Sequence, residues 1–217
     1  MLSQNDKTKE LESYTQTVEH IHLVASLLSS ASLELTRRAL THDQSKLVLP
    51  EVKMFAEITQ QLNNVTYGSP EYENCRKKML GLGLRHHYSH NRHHPEFFKE
   101  QPESEELNDY IAIIHRASRA VDLDESTATT YHKLIEYLKR KQAEQISSIN
   151  NMSLFDLLEM LIDWIASTER HADGNIEESI RINRDRFFMG KQLTQVFKNT
   201  ISWIKNDFAK LKTQRDL

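Results

Sequence analysis

The sequence predicts an all-α fold, and three observations support this prediction. Only 5 Gly and 4 Pro occur among 217 residues, so the chain lacks the turn residues that a sandwich or barrel of short strands needs. Apolar residues recur with helical spacing almost throughout, and no segment shows the alternation typical of a strand. Hydrophobic residues make up 38% of the chain, which is enough for a packed core.

In the first half of the chain, prolines and turn residues mark where helices begin and end. Because proline suits the first turn of a helix and disfavours a helix before it, Pro50 and Pro70 open helices and Pro95 closes one. A cluster of Asn, Tyr, Gly and Ser at 63–69 indicates a turn. The predicted helices run from about Lys9 to Ser30, from Leu33 to Thr41, from Pro50 to Asn63, and from Pro70 to the histidine-rich segment.

In the second half, polar breaks at 101–104 and at 173–175 separate the helical segments, and Ser153 is a residue type that caps helices. The predicted helices run about 105–121, 127–146, 153–170, 176–188 and 193–211. The segment 103–151 is the most polar part of the chain. We therefore predict one domain with a core at about 10–98 and 152–212 and an extra helical hairpin inserted at about 103–151.

Charge, cysteine content and hydropathy exclude several classes of protein. The 28 basic and 31 acidic residues give a net charge of −3, so we expect no nucleic-acid partner. The single cysteine, Cys75, excludes an internal disulfide framework and a Cys-rich zinc module. The most apolar stretch, Leu154 to Ala166, contains acidic residues and is too short to span a membrane. A polar segment from Met1 to Glu12 does not predict a secretory signal. We expect a cytoplasmic protein whose oligomeric state the sequence leaves open.

Histidine is the unusual residue in this sequence, with 11 copies, five of them within 86–94. If this segment is one continuous helix, its histidines form two alternative rows, here called stripes, along the helix surface. Either stripe would bring together imidazole nitrogens as a metal site requires. The alternative is a solvated helix end that binds metal only adventitiously. One stripe consists of His87, His90 and His94, and the other of His86, His90 and His93.

Two earlier sites also carry ligand-type residues. His20 lies at the edge of the predicted apolar face of the first helix, where it is either a metal ligand or a core histidine bonded to a carbonyl. His42 and Asp43 follow the next predicted helix. Imidazole beside carboxylate suits Zn, Mn or Fe, and a bridging carboxylate can hold two ions. Asp43 could equally cap the helix end.

Acidic and basic pairs complete the set of candidates. Glu159 and Asp163 are one helical turn apart, which suggests a shared cation or, alternatively, a solvent-exposed stripe. Arg184, Arg186 and Lys46 are cations of the type that binds phosphate, although exposed basic residues on helices are commonly just solvated.

Taken together, these residues resemble the signature of the HD-domain superfamily: a His in one helix, a His-Asp pair ending the next and a late Asp in another. His42-Asp43-Gln44-Ser45-Lys46 is similar to the His-Asp-x-x-Lys motif of that superfamily, and His20-Ile21-His22-Leu23-Val24-Ala25 resembles its opening motif. The stretches 87–96 and 159–164 resemble a small uncharacterised HD-like family of bacteria and phages. The similarity covers about 19–97 and 152–186.

The resemblance implies a helical HD-like bundle that binds one or two divalent ions (Mn, Fe, Zn, Co or Mg). It implies that the first ion is held by His20, His42, Asp43 and Asp163. Asp43 would bridge to a second ion on His87 and on His94 or His93, with His86 and His90 as replacements.

The resemblance further implies metal-dependent hydrolysis of a small phosphorylated substrate, and by analogy with the superfamily this substrate is a nucleotide. We expect Asp43, Lys46 and Glu159 to take part in catalysis, and Asn91, Arg184 and Arg186 to bind substrate together with Lys46. Two alternatives stay open at the level of sequence. One is an HD-fold di-iron oxygenase, and the other is a non-catalytic helical binding protein.

Overall fold

The computed structural model describes residues 4–62, 65, 69–72, 74, 82–99, 104–119, 123–170 and 174–215, and these residues contain helices and no strand. The all-α prediction is therefore confirmed. The predicted turn residues Asn63, Asn64, Tyr67, Gly68 and Asp173 lie outside the described residues. None of the described helices is both long enough and apolar enough to cross a membrane. The chain divides into two compact units, Met1–His42 and Asp43–Leu217.

The first unit is formed by one continuous helix, α1 (Gln4–Thr41). The predicted break between Ser30 and Leu33 is wrong. No Gly or Pro occurs before Pro50, and serine hydroxyls at the expected break bond inside the helix, as Ser32 Oγ does to the carbonyl of Leu28 at 3.0 Å. These serines therefore do not interrupt the helix. Large apolar side chains of α1 such as Leu27 and Leu28 are more than half exposed.

The second unit begins with short elements that surround the histidine-rich segment. A 3-10 helix (Gln44–Leu47) is followed by α2 (Glu51–Leu62) and α3 (Leu82–His90). A second 3-10 helix (Pro95–Phe97) comes directly after a turn at the end of α3. Helix α3 packs against α2 and against both 3-10 helices. This packing places the histidines of α3 next to the chain that follows α1.

A helical hairpin follows, made of α4 (Glu105–Ala117) and α5 (Glu125–Ile146), which pack against each other. The side chains of Ser104 and Asp124 cap the two helices, each accepting a hydrogen bond from a backbone N–H of the first turn. The predicted hairpin in the polar segment is thus present. A third 3-10 helix (Ser148–Asn151) leads out of it.

The core of the second unit lies between the last three helices, α6 (Leu154–Glu169), α7 (Ile176–Arg186) and α8 (Lys191–Arg215). Ser153 caps α6 as predicted and forms a capping box with Asp156. Trp164 stacks on Phe187 with ring centroids 6.4 Å apart and meets Phe197 edge-on at 5.9 Å. Burial of this aromatic group fixes the face of α6 that carries Glu159 and Asp163. The buried hydrophobic residues of this core are Ile149, Met152, Met160, Leu161, Trp164, Ile165, Ile176, Ile180, Met189, Phe197 and Ile201.

Candidate metal centre

Asp43, the first residue of the candidate site along the chain, has an unusual backbone conformation. Asp43 has φ 56° and ψ 15°, in the left-handed region that residues other than glycine seldom adopt. Such conformations occur preferentially at functional sites because they aim a side chain where a regular helix would not. The side chain of Lys46 donates a hydrogen bond to Oδ2 of Asp43. Oδ1 of Asp43 is directed toward the histidines.

Three imidazole nitrogens lie around Oδ1 of Asp43. Nε2 of His93 is 3.4 Å from this oxygen and Nε2 of His87 is 3.5 Å from it. Nε2 of His94 lies 2.8 Å from Nε2 of His87. Each of the four residues offers one ligand atom, and these four atoms all lie within 4.8 Å of one another. We refer to Asp43, His87, His93 and His94 as the Asp–His cluster.

The distances in the Asp–His cluster fit a single divalent ion. Two ligand atoms about 2.0–2.1 Å from one ion and about 90–110° apart lie about 2.9–3.4 Å from each other. The three separations of 2.8, 3.4 and 3.5 Å in the cluster fall close to this range. Three imidazoles and one carboxylate are a donor set that Zn, Mn, Fe and Co accept. The residues present therefore fit a metal ion.

Two acidic side chains lie behind the histidines of the cluster, on the side away from Asp43. Nδ1 of His87 lies 2.9 Å from Oε2 of Glu51, and Nδ1 of His93 lies 3.3 Å from Oε1 of Glu159. A carboxylate on the distal nitrogen is the usual partner of a metal-ligating histidine, since it orients the ring and makes the ligating nitrogen more basic. His87 and His93 are about 2% and 1% exposed, so both contacts are buried.

Burial keeps two imidazoles of the cluster, those of His87 and His94, in the neutral form that binds metals. It lowers the pKa of His94 well below its usual value, and the neighbouring His93 and His87 add to this effect. The pKa of His87 is also lowered, by burial first and by the charge of Lys46 second. Burial alone would raise the pKa of Glu51, but hydrogen bonds from His86, Ser45 and His87 outweigh it and the pKa is lowered. At neutral pH this predicts neutral imidazoles beside a charged carboxylate.

The predicted helical stripes of histidines are wrong because α3 ends at His90. A turn follows, in which the N–H of His94 bonds to the carbonyl of Asn91 at 3.2 Å, and Pro95 starts a separate 3-10 helix rather than ending α3. The turn brings His93 and His94 back toward His87. His90 instead is exposed, with Nδ1 2.8 Å from the carbonyl of His86.

His86 also points away from the Asp–His cluster. Its Nδ1 lies 2.7 Å from Oε1 of Glu51, and its ring stacks on that of His90 with centroids 3.9 Å apart. The turn after α3 therefore places His93 and His94, rather than His86 and His90, next to Asp43 and His87.

The remaining predicted ligands lie at different places. Asp163, half-buried on α6, has a carboxylate oxygen within 4.8 Å of one of Asp43. His20 and His42 belong to the first unit, where His20 is exposed on α1 and His42 is half-buried after its end. Their role as ligands stays a prediction.

The predicted substrate-binding residues make contacts of several kinds. Asn91 Nδ2 donates to Ser45 Oγ and to the carbonyl of His87, both at 2.8 Å. This amide therefore connects the end of α3 to the first 3-10 helix. Arg186 is bonded to Glu96, close to the turn formed by residues 91–94, which carries His93 and His94 and is called the histidine turn below. Arg184 bonds to the adjacent Asp185 and lines an open cavity of about 300 Å³ between α7 and α8. That cavity contains no member of the Asp–His cluster.

Glu51 and Arg92 are the residues of this region that sequence reasoning missed. Glu51 is fully buried, although it opens a helix in a sequence context that predicts a solvent-exposed first turn. Arg92 donates from Nε and Nη2 to the buried Asp156, both at 3.2 Å, and so ties the histidine turn to α6. The signal available for Glu51 was its place five residues after Lys46, the last residue of the His-Asp-x-x-Lys segment. For Arg92 there was no such signal.

Comparison with known proteins supplies a family and no activity. No curated protein and no solved structure matches the chain. Residues 9–209 match a family described only as being of unknown function. Because this match covers nearly the whole length of 217 residues, the chain belongs to the family of unknown function DUF5662.

Proposed function

We propose that the protein is a divalent-metal-dependent phosphohydrolase that acts on a nucleotide or a related phosphate ester. The observation that carries the proposal is the convergence of Oδ1 of Asp43 with the Nε2 atoms of His87, His93 and His94 at separations that one ion requires. The resemblance of the His-Asp-x-x-Lys segment to the HD-domain superfamily adds the reaction class.

A divalent ion bound at the cluster supplies a Lewis acid that polarises a phosphoryl oxygen and acidifies water. The residues of the chain hold this site in a fixed geometry. Glu51 and Glu159 orient His87 and His93 from behind, and the half-buried Asp163 adds a further carboxylate near Asp43. This second carboxylate is compatible with either one or two ions.

Lys46 is the cation best placed to bind the substrate phosphate. Its ammonium carries three hydrogens, and the bond to Asp43 Oδ2 uses one of them. The ammonium also lies 4.9 Å from the ring centroid of Phe55. Because the side chain is about one third exposed, a hydrogen remains available to a phosphate oxygen. Positive charge at this point stabilises negative charge that develops in the transition state. Arg186, beside Glu96 at the histidine turn, is a second candidate for phosphate binding.

The proposal is tested by metal removal and reconstitution. Protein treated with a chelator and then supplied separately with Mn²⁺, Co²⁺, Zn²⁺, Mg²⁺ or Fe²⁺ is incubated with nucleoside phosphates and sugar phosphates, and inorganic phosphate is measured. We expect release of phosphate only after reconstitution. Oxygen consumption and visible absorption of an iron-loaded protein without phosphate release would favour the di-iron oxygenase instead. Failure to retain any of these ions would contradict the proposal and favour a non-catalytic binding protein.

A further inference from the structure

Glu51 is a completely buried carboxylate shared by two histidines. It is 0% exposed, and its two oxygens face three donors. Oε1 lies 2.7 Å from Nδ1 of His86, and Oε2 lies 2.9 Å from both Nδ1 of His87 and Oγ of Ser45. A buried carboxylate is costly unless hydrogen bonds compensate it. All three of these groups are therefore expected to donate.

The directions of the hydrogen bonds fix the tautomer of His87. A carboxylate only accepts, and a neutral imidazole has one N–H, so the hydrogen of His87 lies on Nδ1. The neighbouring hydrogen bonds are consistent with donation from His87 Nδ1 to Glu51. Ser45 Oγ also donates to Glu51. The amide of Asn91 donates to Ser45 Oγ and to the His87 carbonyl. The lone pair of His87 then remains on Nε2, the atom that faces Asp43 and His94.

We propose that Glu51 is a positioning residue that holds His87 in the Nδ1–H tautomer and so prepares its Nε2 as a metal ligand. The inference rests on the proposed metal-dependent function. Glu51 does not touch the ligand atoms of the Asp–His cluster. It acts through His87, and the same carboxylate sets His86 in the same tautomer on its other oxygen.

Removing the Glu51 carboxylate changes which ring nitrogen of His87 carries the hydrogen. In Glu51→Leu no carboxylate faces Nδ1, and the amide of Asn91, 3.0 Å away, becomes its nearest polar neighbour. The hydroxyl of Ser45, 3.4 Å from Nδ1, has lost its acceptor Glu51 and donates to Nδ1 instead. His87 then adopts the Nε2–H tautomer, which presents no lone pair at Nε2 to a metal. Loss of such a supporting carboxylate typically weakens metal affinity by about 10–100-fold.

The experiment combines two measurements on the full chain. Long-range proton–nitrogen NMR of the metal-free protein reports the tautomer of His87, with the resonance assigned by its loss in His87→Gln. A competition titration reports the affinity for Zn²⁺. The wild type is expected to show the Nδ1–H tautomer, and Glu51→Leu the Nε2–H tautomer with weaker Zn²⁺ binding. His86→Gln is the matched control, because it removes the other donor to Glu51 and leaves the tautomer of His87 unchanged.

Glu51→Gln keeps the side-chain volume and serves if the leucine variant does not fold. Its single carbonyl oxygen cannot replace both carboxylate oxygens, so His86 or His87 must change tautomer. A folded Glu51→Leu protein in which His87 keeps the Nδ1–H tautomer would overturn the inference, as would a folded Glu51→Gln protein in which neither histidine changes tautomer. A wild type that shows the expected tautomer and binds no Zn²⁺ would instead overturn the proposed function and the ligand role of His87 with it.

Discussion

Oδ1 of Asp43 and Nε2 of His93 lie 3.4 Å apart, although one residue follows the long first helix and the other lies in a turn after α3. His93 is held from behind by Glu159 on α6, at 3.3 Å. Asp43, His93 and Glu159 thus contact one another in sequence and come from three separate segments of the second unit. It makes the geometry of the candidate site dependent on how the histidine turn is anchored.

Arg92 is the anchor of the histidine turn, and we expect its loss to destabilise the protein. Its guanidinium bonds to both oxygens of Asp156, which is fully buried, while Arg92 itself is about half exposed. Arg92→Ala removes two hydrogen bonds from this buried carboxylate, which keeps those from Ser153, and should reduce the free energy of unfolding by about 1–2 kcal/mol. Urea unfolding monitored by circular dichroism measures the change.

The matched control is Arg140→Ala, which removes an exposed arginine paired with Asp185 at 3.6 Å. Exposed pairs of this kind contribute about 0–1 kcal/mol. Equal unfolding midpoints for the two variants would show that Arg92 does not anchor the turn.

The metal-free protein should lose stability as the pH falls below 6.5. Burial and the neighbouring His93 and His87 lower the pKa of His94 well below the value of 6.5 for an ordinary histidine. Between these two pKa values the unfolded chain binds a proton that the folded chain does not. The contribution of His94 is therefore fully present above pH 6.5 and is lost as the pH falls through this window.

Unfolding midpoints of the chelator-treated protein between pH 5 and pH 7.5 measure this dependence. His94→Gln cannot take up the proton and should show a shallower slope, with the residual slope due to His87, whose pKa burial also lowers. Identical slopes for wild type and His94→Gln would contradict the assignment.

Lys46 should matter for turnover and not for metal retention. Lys46→Gln removes the positive charge next to Asp43 and leaves the four members of the Asp–His cluster in place. Loss of one preorganised group that stabilises transition-state charge costs about 10²–10³ in kcat. The measurement is phosphate release from the ester hydrolysed fastest in the substrate screen, with metal content determined on the same sample. Wild-type turnover, or loss of the metal, would contradict the role of Lys46.

The sequence predicted the helical content well because helix signals are local. Ser153 caps α6 and Pro50 immediately precedes α2, as expected. The predicted break near Ser30 failed because serine is compatible with both a helix and a turn, and the choice depends on bonds to the preceding turn of the same helix. Composition alone does not decide between them.

The site was predictable in part. The His-Asp pair and the histidine-rich segment stand out in the sequence, but the selection of His93 and His94 over His86 and His90 depends on the end of α3. No Gly or Pro marks that end until Pro95. The buried state of Glu51 depends on the packing of α2 against α3, which local sequence patterns do not encode.

The most direct test of the account is the metal content of Asp43→Ala. Untagged wild type, Asp43→Ala and the exposed-acid control Asp185→Ala are loaded with the same divalent ion, desalted and measured by elemental analysis, with circular dichroism to verify helical content. We expect stoichiometric metal in the wild type and the control, and its loss from Asp43→Ala with the helices retained. Equal metal content in Asp43→Ala and wild type would contradict the central role of the Asp–His cluster.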